Sequence, residues 1–296
     1  MEIIRATHLG MCFGVRDAIA LAQTHAALQP ITVLGQLVHN EDVLADLKVR
    51  GVRVAKEPKS VETAVAMITA HGASDHFKDQ ARKQGLSLID ATCPLVKSAH
   101  RALQNLVARG YYPVIIGQRD HVEVKGLSGD LMEFQVVLTS DEVRAVPERP
   151  RYGVISQTTQ PIARVRSLVE QLKEVHPQSE VEFVDTVCQP TKLRQQAAQA
   201  LAEDCDVVIV VGGAQSNNTR ELVRTCGLRG ATVYHVQRPE DLSPAWFENA
   251  TKVGLTAGTS TPDATIQSVA AQLDAWCHDK LITSNSPTTT AILAFS

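Results

Sequence analysis

Three short segments constrain this chain more than any other feature. Leu88-Ile89-Asp90-Ala91-Thr92-Cys93-Pro94 runs from apolar residues through an acid to a cysteine, then into a helical pattern. Phe183-Val184-Asp185-Thr186-Val187-Cys188-Gln189-Pro190 repeats that arrangement, and Cys12 in Gly10-Met11-Cys12-Phe13-Gly14-Val15 also stands between a strand-like and a helix-like run. A glycine follows each cysteine at a matched distance: Cys12 to Gly35 is 23 residues, and Cys93 to Gly117 and Cys188 to Gly212 are 24 each. Equal spacing of this kind marks an internal repeat, in which each unit buries part of its surface against its neighbours.

Polar residues past the glycines keep the register. His39, His121 and Ser216 stand four residues on, and Glu41, Glu123 and Asn218 six residues on. A second polar strand end follows in each unit, at His71, Thr158 and Ser260.

Between these points, short apolar runs alternate with amphipathic stretches, which predicts an α/β fold with largely parallel sheets. Strands are expected at Glu2–Arg5, Ile31–Leu34, Val52–Ala55, Ala66–Ala70, Ser87–Ile89, Pro113–Ile116, Gly153–Ser156, Asp206–Val211 and Val253–Thr256. Helices are expected at Gly14–Ala27, Asn40–Arg50, Asp75–Gln84, Val96–Arg109 and Leu193–Glu203. The repeat divides the chain into units 13–93, 94–188 and 189–280. Segments 1–12 and 281–296 are left to close the ring onto the third unit, with Cys12 supplying the cysteine that this unit lacks at its own end. Ligands bind outside the carboxyl ends of parallel strands, so three such units facing one another gather their polar ends around one pocket.

Composition narrows the function class. Hydrophobic residues make up 44% and charged residues 21%, as in an ordinary globular protein, and the formal net charge of −3 provides no global basic field for nucleic acid or anionic lipid. No apolar run approaches the ~20 residues that cross a bilayer, and Met1-Glu2-Ile3 does not begin a signal peptide. The expectation is a cytoplasmic enzyme with neither nucleic-acid nor membrane partners. Six cysteines in a reducing compartment are core residues, metal ligands or reactive thiols. Cys205, Cys226 and Cys277 read as packing or surface residues.

Cys12, Cys93 and Cys188 suit Zn²⁺ or an iron–sulfur cluster by their softness. Their spacing alone carries no ligand signature, since neither Cys-x-x-Cys nor a ferredoxin pattern is present. The repeat tips the balance toward a shared site, because equivalent positions converge. Three thiolates also leave a coordination position open, unlike a closed structural zinc.

His39, His71 and His121, with Thr158, Ser216, Asn217, Asn218 and Ser260, form a donor-rich set suited to a phosphate or diphosphate. No dinucleotide or nucleoside-triphosphate fingerprint accompanies them. On an extended segment, His121 and Glu123 point to one side, and Glu123 can deliver a proton beside Thr158. The plainer alternative pairs Glu123 with Lys125 at the surface. Asp90 and Asp185 read as caps of the following helices.

With these residues in view, the chain resembles the 4-hydroxy-3-methylbut-2-enyl diphosphate reductases of the LytB family, the last enzymes of the non-mevalonate isoprenoid pathway. The matching segments run in order through nearly the whole chain: Gly10–Val15, Val38-His39-Asn40, Ala70-His71-Gly72, Asp90–Pro94, His121–Val124, Gln157-Thr158-Thr159, Cys188 with Arg194-Gln195, Val211-Gly212-Gly213, Ser216-Asn217-Asn218 and Ala257–Pro262. Together they form a specific signature. Val122 stands where proline is common and Pro190 where alanine is common, and neither change removes a functional group.

The resemblance implies three similar α/β units in pseudo-threefold arrangement around a central iron–sulfur cluster. It implies one [4Fe–4S] cluster per chain, held by Cys12, Cys93 and Cys188, whose fourth iron has no protein ligand. His39, His71, Ser216, Asn218 and Ser260 would bind the diphosphate, with Asn217 at a position that is often serine. His121, Thr158 and Glu123 would sit at the substrate's hydroxyl end as the catalytic group, with Glu123 as proton donor. The implied reaction is a two-electron reductive dehydroxylation giving isopentenyl and dimethylallyl diphosphate. Its electrons would come from reduced ferredoxin or flavodoxin, since no flavin or nicotinamide motif is visible. Two other classes stay open on the residues alone: a metal-free phosphosugar isomerase or transferase, and a non-catalytic sensor whose cluster or zinc reports redox state.

Overall fold

A four-stranded parallel sheet recurs three times in this protein. The computed structural model describes residues 1–284, with side chains through residue 277. The chain begins with β1 (Glu2–Arg5), α1 (Phe13–Ala26), β2 (Ile31–Leu34), α2 (Glu41–Val49), β3 (Arg53–Ala55), β4 (Val65–Ile68), α3 (Asp75–Lys83) and β5 (Ser87–Asp90). It continues through α4 (Pro94–Ala108), β6 (Tyr112–Ile116), α5 (Val122–Ser128), β7 (Gln135–Val137), α6 (Ser140–Arg144), β8 (Arg151–Ser156), α7 (Ile162–Val175) and β9 (Glu180–Phe183). The last stretch comprises α8 (Gln189–Asp204), β10 (Val207–Val211), α9 (Asn217–Gly227), β11 (Thr232–Val236), β12 (Lys252–Ala257) and α10 (Asp263–Ser284).

The three sheets share one strand order: β3-β2-β4-β5, β7-β6-β8-β9 and β11-β10-β12-β1. The strands at the last position, β5, β9 and β1, are those that lead to Cys93, Cys188 and Cys12. In the third sheet that position is filled from the other end of the chain, with Ile3 opposite Val253 in parallel register. The architecture is therefore α/β in three like units, as the spacing and the resemblance implied.

Central strands are largely apolar because both faces are covered, the usual condition of a parallel sheet. All four residues of β2 and all five of β10 are buried. Ala18 and Ala22 of α1 pack on Ile31 and Val33; Val165, Leu168 and Leu172 of α7 pack on Val114 and Val154; Val269 and Leu273 of α10 pack on Ile209 and Leu255. Burying each such side chain contributes about 2 kcal/mol. No described helix is long and apolar enough to cross a membrane.

Most elements lie where the periodicity puts them, with two corrections near the site. Residues 121–123 are helical rather than extended: His121 caps α5, its Nδ1 accepting the Glu123 backbone N–H at 3.2 Å. A seven-residue helix is too short to print a period, and the side-chain cap starts it. Asp90 and Asp185 do not cap α4 and α8. Each carboxylate accepts the backbone N–H two residues on, from Thr92 at 2.9 Å and Val187 at 3.1 Å, and so shapes the turn before the cysteine. Each also pairs with a lysine in the next helix, Lys97 or Lys192. The strand expected at 66–70 ends at Ile68, freeing Ala70 and His71 for the site. α9 escaped the pattern because Asn217-Asn218-Thr219 are poor helix interiors, yet they follow a good cap in Ser216, whose Oγ accepts from Thr219 N–H at 3.3 Å.

Candidate active site

Each of the three cysteines occupies the position just before a helix: Cys12 before α1, Cys93 before α4 and Cys188 before α8. No side-chain cap hydrogen bond is made by any of the three. Each is also tied by its backbone to the loop after the neighbouring strand. Cys12 N–H donates to Thr259 O at 3.0 Å, Cys93 N–H to Ala70 O at 3.1 Å and Cys188 N–H to Thr158 O at 2.9 Å. The repeat is thus legible at the level of single hydrogen bonds. Gly14 is pressed against this group: a Cβ there would lie 2.5 Å from the Cys93 sulfur.

All three thiols line one central cavity, together with the three histidines, Glu123, Thr158, Ser216, Asn217, Asn218 and Ser260, whereas Glu41, the register counterpart of Glu123, is exposed and does not line it. Burial pushes the Cys93 thiol up and the Cys188 thiol up to about 11, while the Cys188 S–H donates to Thr191 Oγ1 at 3.0 Å. Such thiols hold their protons until a cation replaces them. Three soft donors at helix N-termini, with a glycine keeping room beside them, fit a metal–sulfur group.

The imidazoles meet on another wall. Ring centroids of His39 and His71 lie 4.6 Å apart, His39 and His121 5.5 Å, and His71 and His121 5.6 Å. Burial is the main cause that lowers all three affinities for protons. His121 falls to about 3, helped by His39 and Arg220, and His71 falls well below the ordinary range, helped by both other rings. His39 is lowered by burial and by Arg220. The imidazoles are therefore neutral near pH 7. Since His121 Nδ1 accepts the Glu123 N–H, its proton sits on Nε2.

Glu123 is 2% exposed and lies in the first turn of α5. Both its oxygens meet Thr158, Oε1 taking the backbone N–H at 2.6 Å and Oε2 the hydroxyl at 3.0 Å. Burial outweighs these two bonds and raises its pKa to about 7. The surface alternative is excluded, because Lys125 pairs with Asp120.

The start of α9 forms the third wall. Asn217 Nδ2 donates to Thr159 Oγ1 at 2.9 Å, and Asn218 Oδ1 accepts from Thr259 N–H at 3.0 Å. Ser260 Oγ donates to the His39 carbonyl at 3.2 Å. Gly213 approaches the same carbonyl so closely that a Cβ would lie 2.4 Å from it. His39 Nε2, His71 Nδ1, Asn217 Oδ1 and Asn218 Nδ2 are buried without hydrogen-bond partners. Unmet polar atoms aimed into one cavity, beside a helix N-terminus, ask for an anionic ligand.

A sequence model of one family, described as LytB protein, matches residues 3–274. The chain belongs to the LytB family. Among the relatives of this LytB chain is the 4-hydroxy-3-methylbut-2-enyl diphosphate reductase of Aquifex aeolicus (strain VF5), 34% identical over 290 residues that cover 96% of this chain and all of that one. The protein of the same name from Pelobacter propionicus is 36% identical, covering 91% of this chain and 96% of its own. Among solved structures, an E-1-hydroxy-2-methyl-but-2-enyl-4-diphosphate reductase from Plasmodium falciparum superposes with a TM-score of 0.87 at 28% identity, covering 92% and 87% of the two chains. A second, described as (E)-4-hydroxy-3-methyl-but-2-enyl diphosphate reductase, the terminal enzyme of the non-mevalonate pathway, gives 0.67 at 34% identity, covering 93% and 100%.

The structure adds three threonines to the cavity of this LytB chain that the sequence did not assign: Thr159, Thr191 and Thr259. Thr159 and Thr259 were within reach as immediate neighbours of Thr158 and Ser260. Thr191 had no such signal, because its counterparts Val15 and Val96 are apolar.

Proposed function

We propose that this LytB chain reduces (E)-4-hydroxy-3-methylbut-2-enyl diphosphate to isopentenyl and dimethylallyl diphosphate, the last step of the non-mevalonate pathway. The carrying observation is the buried Glu123–Thr158 pair in the same cavity as three thiols and three neutral imidazoles. Losing the hydroxyl as water and gaining a hydrogen at one or the other end of the resulting allyl unit takes two electrons and two protons, and the two ends give the two products.

Cys12, Cys93 and Cys188 hold a [4Fe–4S] cluster in this reading. When bound, it supplies single electrons and a Lewis-acidic iron free of protein ligands. The electrons come from reduced ferredoxin or flavodoxin. His39, His71, Ser216, Asn217, Asn218 and Ser260 bind the diphosphate, helped by the N-terminus of α9. That anchor fixes the hydroxyl end beside His121, Thr158 and Glu123, so that binding energy goes into positioning.

Glu123 donates a proton to the departing oxygen. Its raised pKa keeps a substantial protonated fraction near neutrality, as an acid catalyst requires. Thr158 holds the carboxyl in place through both oxygens, and His121 presents its Nε2–H to the same end. In this reading the unit boundaries at 13–93, 94–188 and 189–280 put each cysteine at a junction, with segment 1–12 joined to the third unit through β1 and 281–296 as the other terminal segment. Residues 285–296 of that last segment lie outside the described residues.

The test is anaerobic preparation with iron and sulfide analysis, an electron paramagnetic resonance spectrum of the reduced protein, and turnover with a strong one-electron reductant. The expected result is about four irons per chain and release of both products. Iron-free, inactive protein favours the phosphosugar reading. A loaded cluster without turnover favours a sensor.

A further inference from the structure

One ion pair lies at the junction of the second and third units, outside the cavity. Arg164 and Glu221 have side chains only 17% and 10% exposed, less than any other pair among the described residues. Their contact is bidentate, Nη1 to Oε1 at 2.9 Å and Nη2 to Oε2 at 2.8 Å. Arg164 lies in the first turn of α7, just after the loop that carries Thr158 and Thr159. Glu221 lies one helical turn beyond Asn217 and Asn218, on the same side of α9.

The pair is wired back into the site. Arg164 Nη1 also donates to Gln160 Oε1 at 3.3 Å, and Gln160 Nε2 donates to Gln157 Oε1 at 3.0 Å. Gln157 Nε2 donates to Thr159 Oγ1 at 3.2 Å, which accepts from Asn217 Nδ2 as well. The path therefore leaves α9 at Glu221 and returns to it at Asn217. A second strap, Arg220 Nη2 to Gln118 Oε1 at 3.1 Å, ties the same helix to the loop after β6.

We infer that the Arg164–Glu221 pair is a latch that sets how far the N-terminus of α9 enters the site, making both residues positioning residues for the substrate's diphosphate. This rests on the diphosphate reading of the cavity. A forked, nearly buried pair is made or lost as a unit, because one misplaced hydrogen bond strands a desolvated charge. When α7 and α9 part, both ions regain water together, so opening is reversible. With the latch made, Asn217 and Asn218 are held where the ligand needs them. With it broken, only a fraction of the chains is competent to bind, and the apparent affinity falls by that fraction.

The experiment compares wild-type holoenzyme with Glu221→Gln and with the exchanged pair R164E/E221R. It reads backbone hydrogen exchange in α9, steady-state KM and kcat, and the inhibition constant of inorganic diphosphate. Glu221→Gln should speed exchange in the first two turns of α9 in ligand-free protein. It should raise KM and the diphosphate constant about tenfold while leaving kcat within about twofold. The exchanged pair should bring KM back to within about threefold of wild type.

A Glu221→Gln protein with unchanged KM and lowered thermal stability would overturn the latch and leave a packing element. So would a fall in kcat at constant KM. If the exchanged pair does not fold, the single variant decides alone. A wild-type chain that binds no diphosphate rejects the reading of the cavity, while the exchange comparison still tests the coupling of Glu221 to α9.

Discussion

Both carboxylate oxygens of Glu123 are engaged by Thr158, one by its backbone N–H at 2.6 Å and the other by its hydroxyl at 3.0 Å. Glu123 comes from the first turn of α5, which follows β6, and Thr158 from the loop after β8, and these two strands are neighbours in one sheet. A carboxyl group so held can be removed from water without losing its orientation. Replacing Glu123 with Gln keeps the shape and the acceptor to Thr158 but removes the acid. Turnover should fall by about 10² or more, with iron content and substrate affinity retained. Near-wild-type turnover in a steady-state assay would falsify the proton-donor role.

The activity should depend on pH with a definite sign. Glu123 is active when protonated and titrates at about 7, so kcat should decline as pH rises through that value. The stability of cluster-free protein should follow the same direction. A carboxyl raised from 4.5 to about 7 contributes stability fully below 4.5 and loses it as pH rises through 7, a change of about 3 kcal/mol. Denaturant titrations at pH 5 and pH 8 should show wild type losing ground to Glu123→Gln at the higher pH.

Diphosphate binding should take up protons. Among the described residues lining the cavity there is no lysine or arginine, and the three imidazoles are neutral near pH 7. An anion beside them raises their pKa. Calorimetry in buffers of different ionisation enthalpy should report net uptake near pH 7, and affinity should strengthen from pH 8 to pH 6. Zero uptake, after correction for the ligand's own ionisation, would mean that the rings act only as neutral donors.

Cys93→Ser should abolish the brown colour and most of the iron of anaerobically prepared protein, since three ligands leave none to spare. Cys226→Ala removes a buried thiol packed in the core of the third sheet and should keep full iron at a cost of about 1–2 kcal/mol in stability. Full iron in the Cys93 variant would refute the three-cysteine site.

Gly14→Ala should resemble a weak form of the cysteine variant. The added methyl would lie 2.5 Å from the Cys93 sulfur and 3.1 Å from its Cβ, so the cysteine side chain itself would have to shift. Iron content should drop while the secondary-structure signal in circular dichroism stays unchanged.

The chain's own pattern was enough to show the repeat, the parallel sheets and the equivalent positions of the three cysteines. Those properties are periodic, and period survives in one dimension. The closure of the third unit by the N-terminal segment was also readable, because a unit missing its closing cysteine implies a donor elsewhere, and β1 makes that closure in the third sheet. The roles of Asp90, Asp185 and residues 121–123 were not readable, because a single hydrogen bond decides each: a carboxylate choosing the N–H two residues on, or a histidine ring capping a seven-residue helix. The protonation of the cavity lay further out of reach. Glu123 titrates near 7 and His121 near 3 chiefly because burial excludes water around them, and sequence position carries no measure of that burial. Cys12, Cys93 and Cys188 were visible as three equivalent corners; that they face one cavity together with Glu123 and Thr158 was decided by packing the units together.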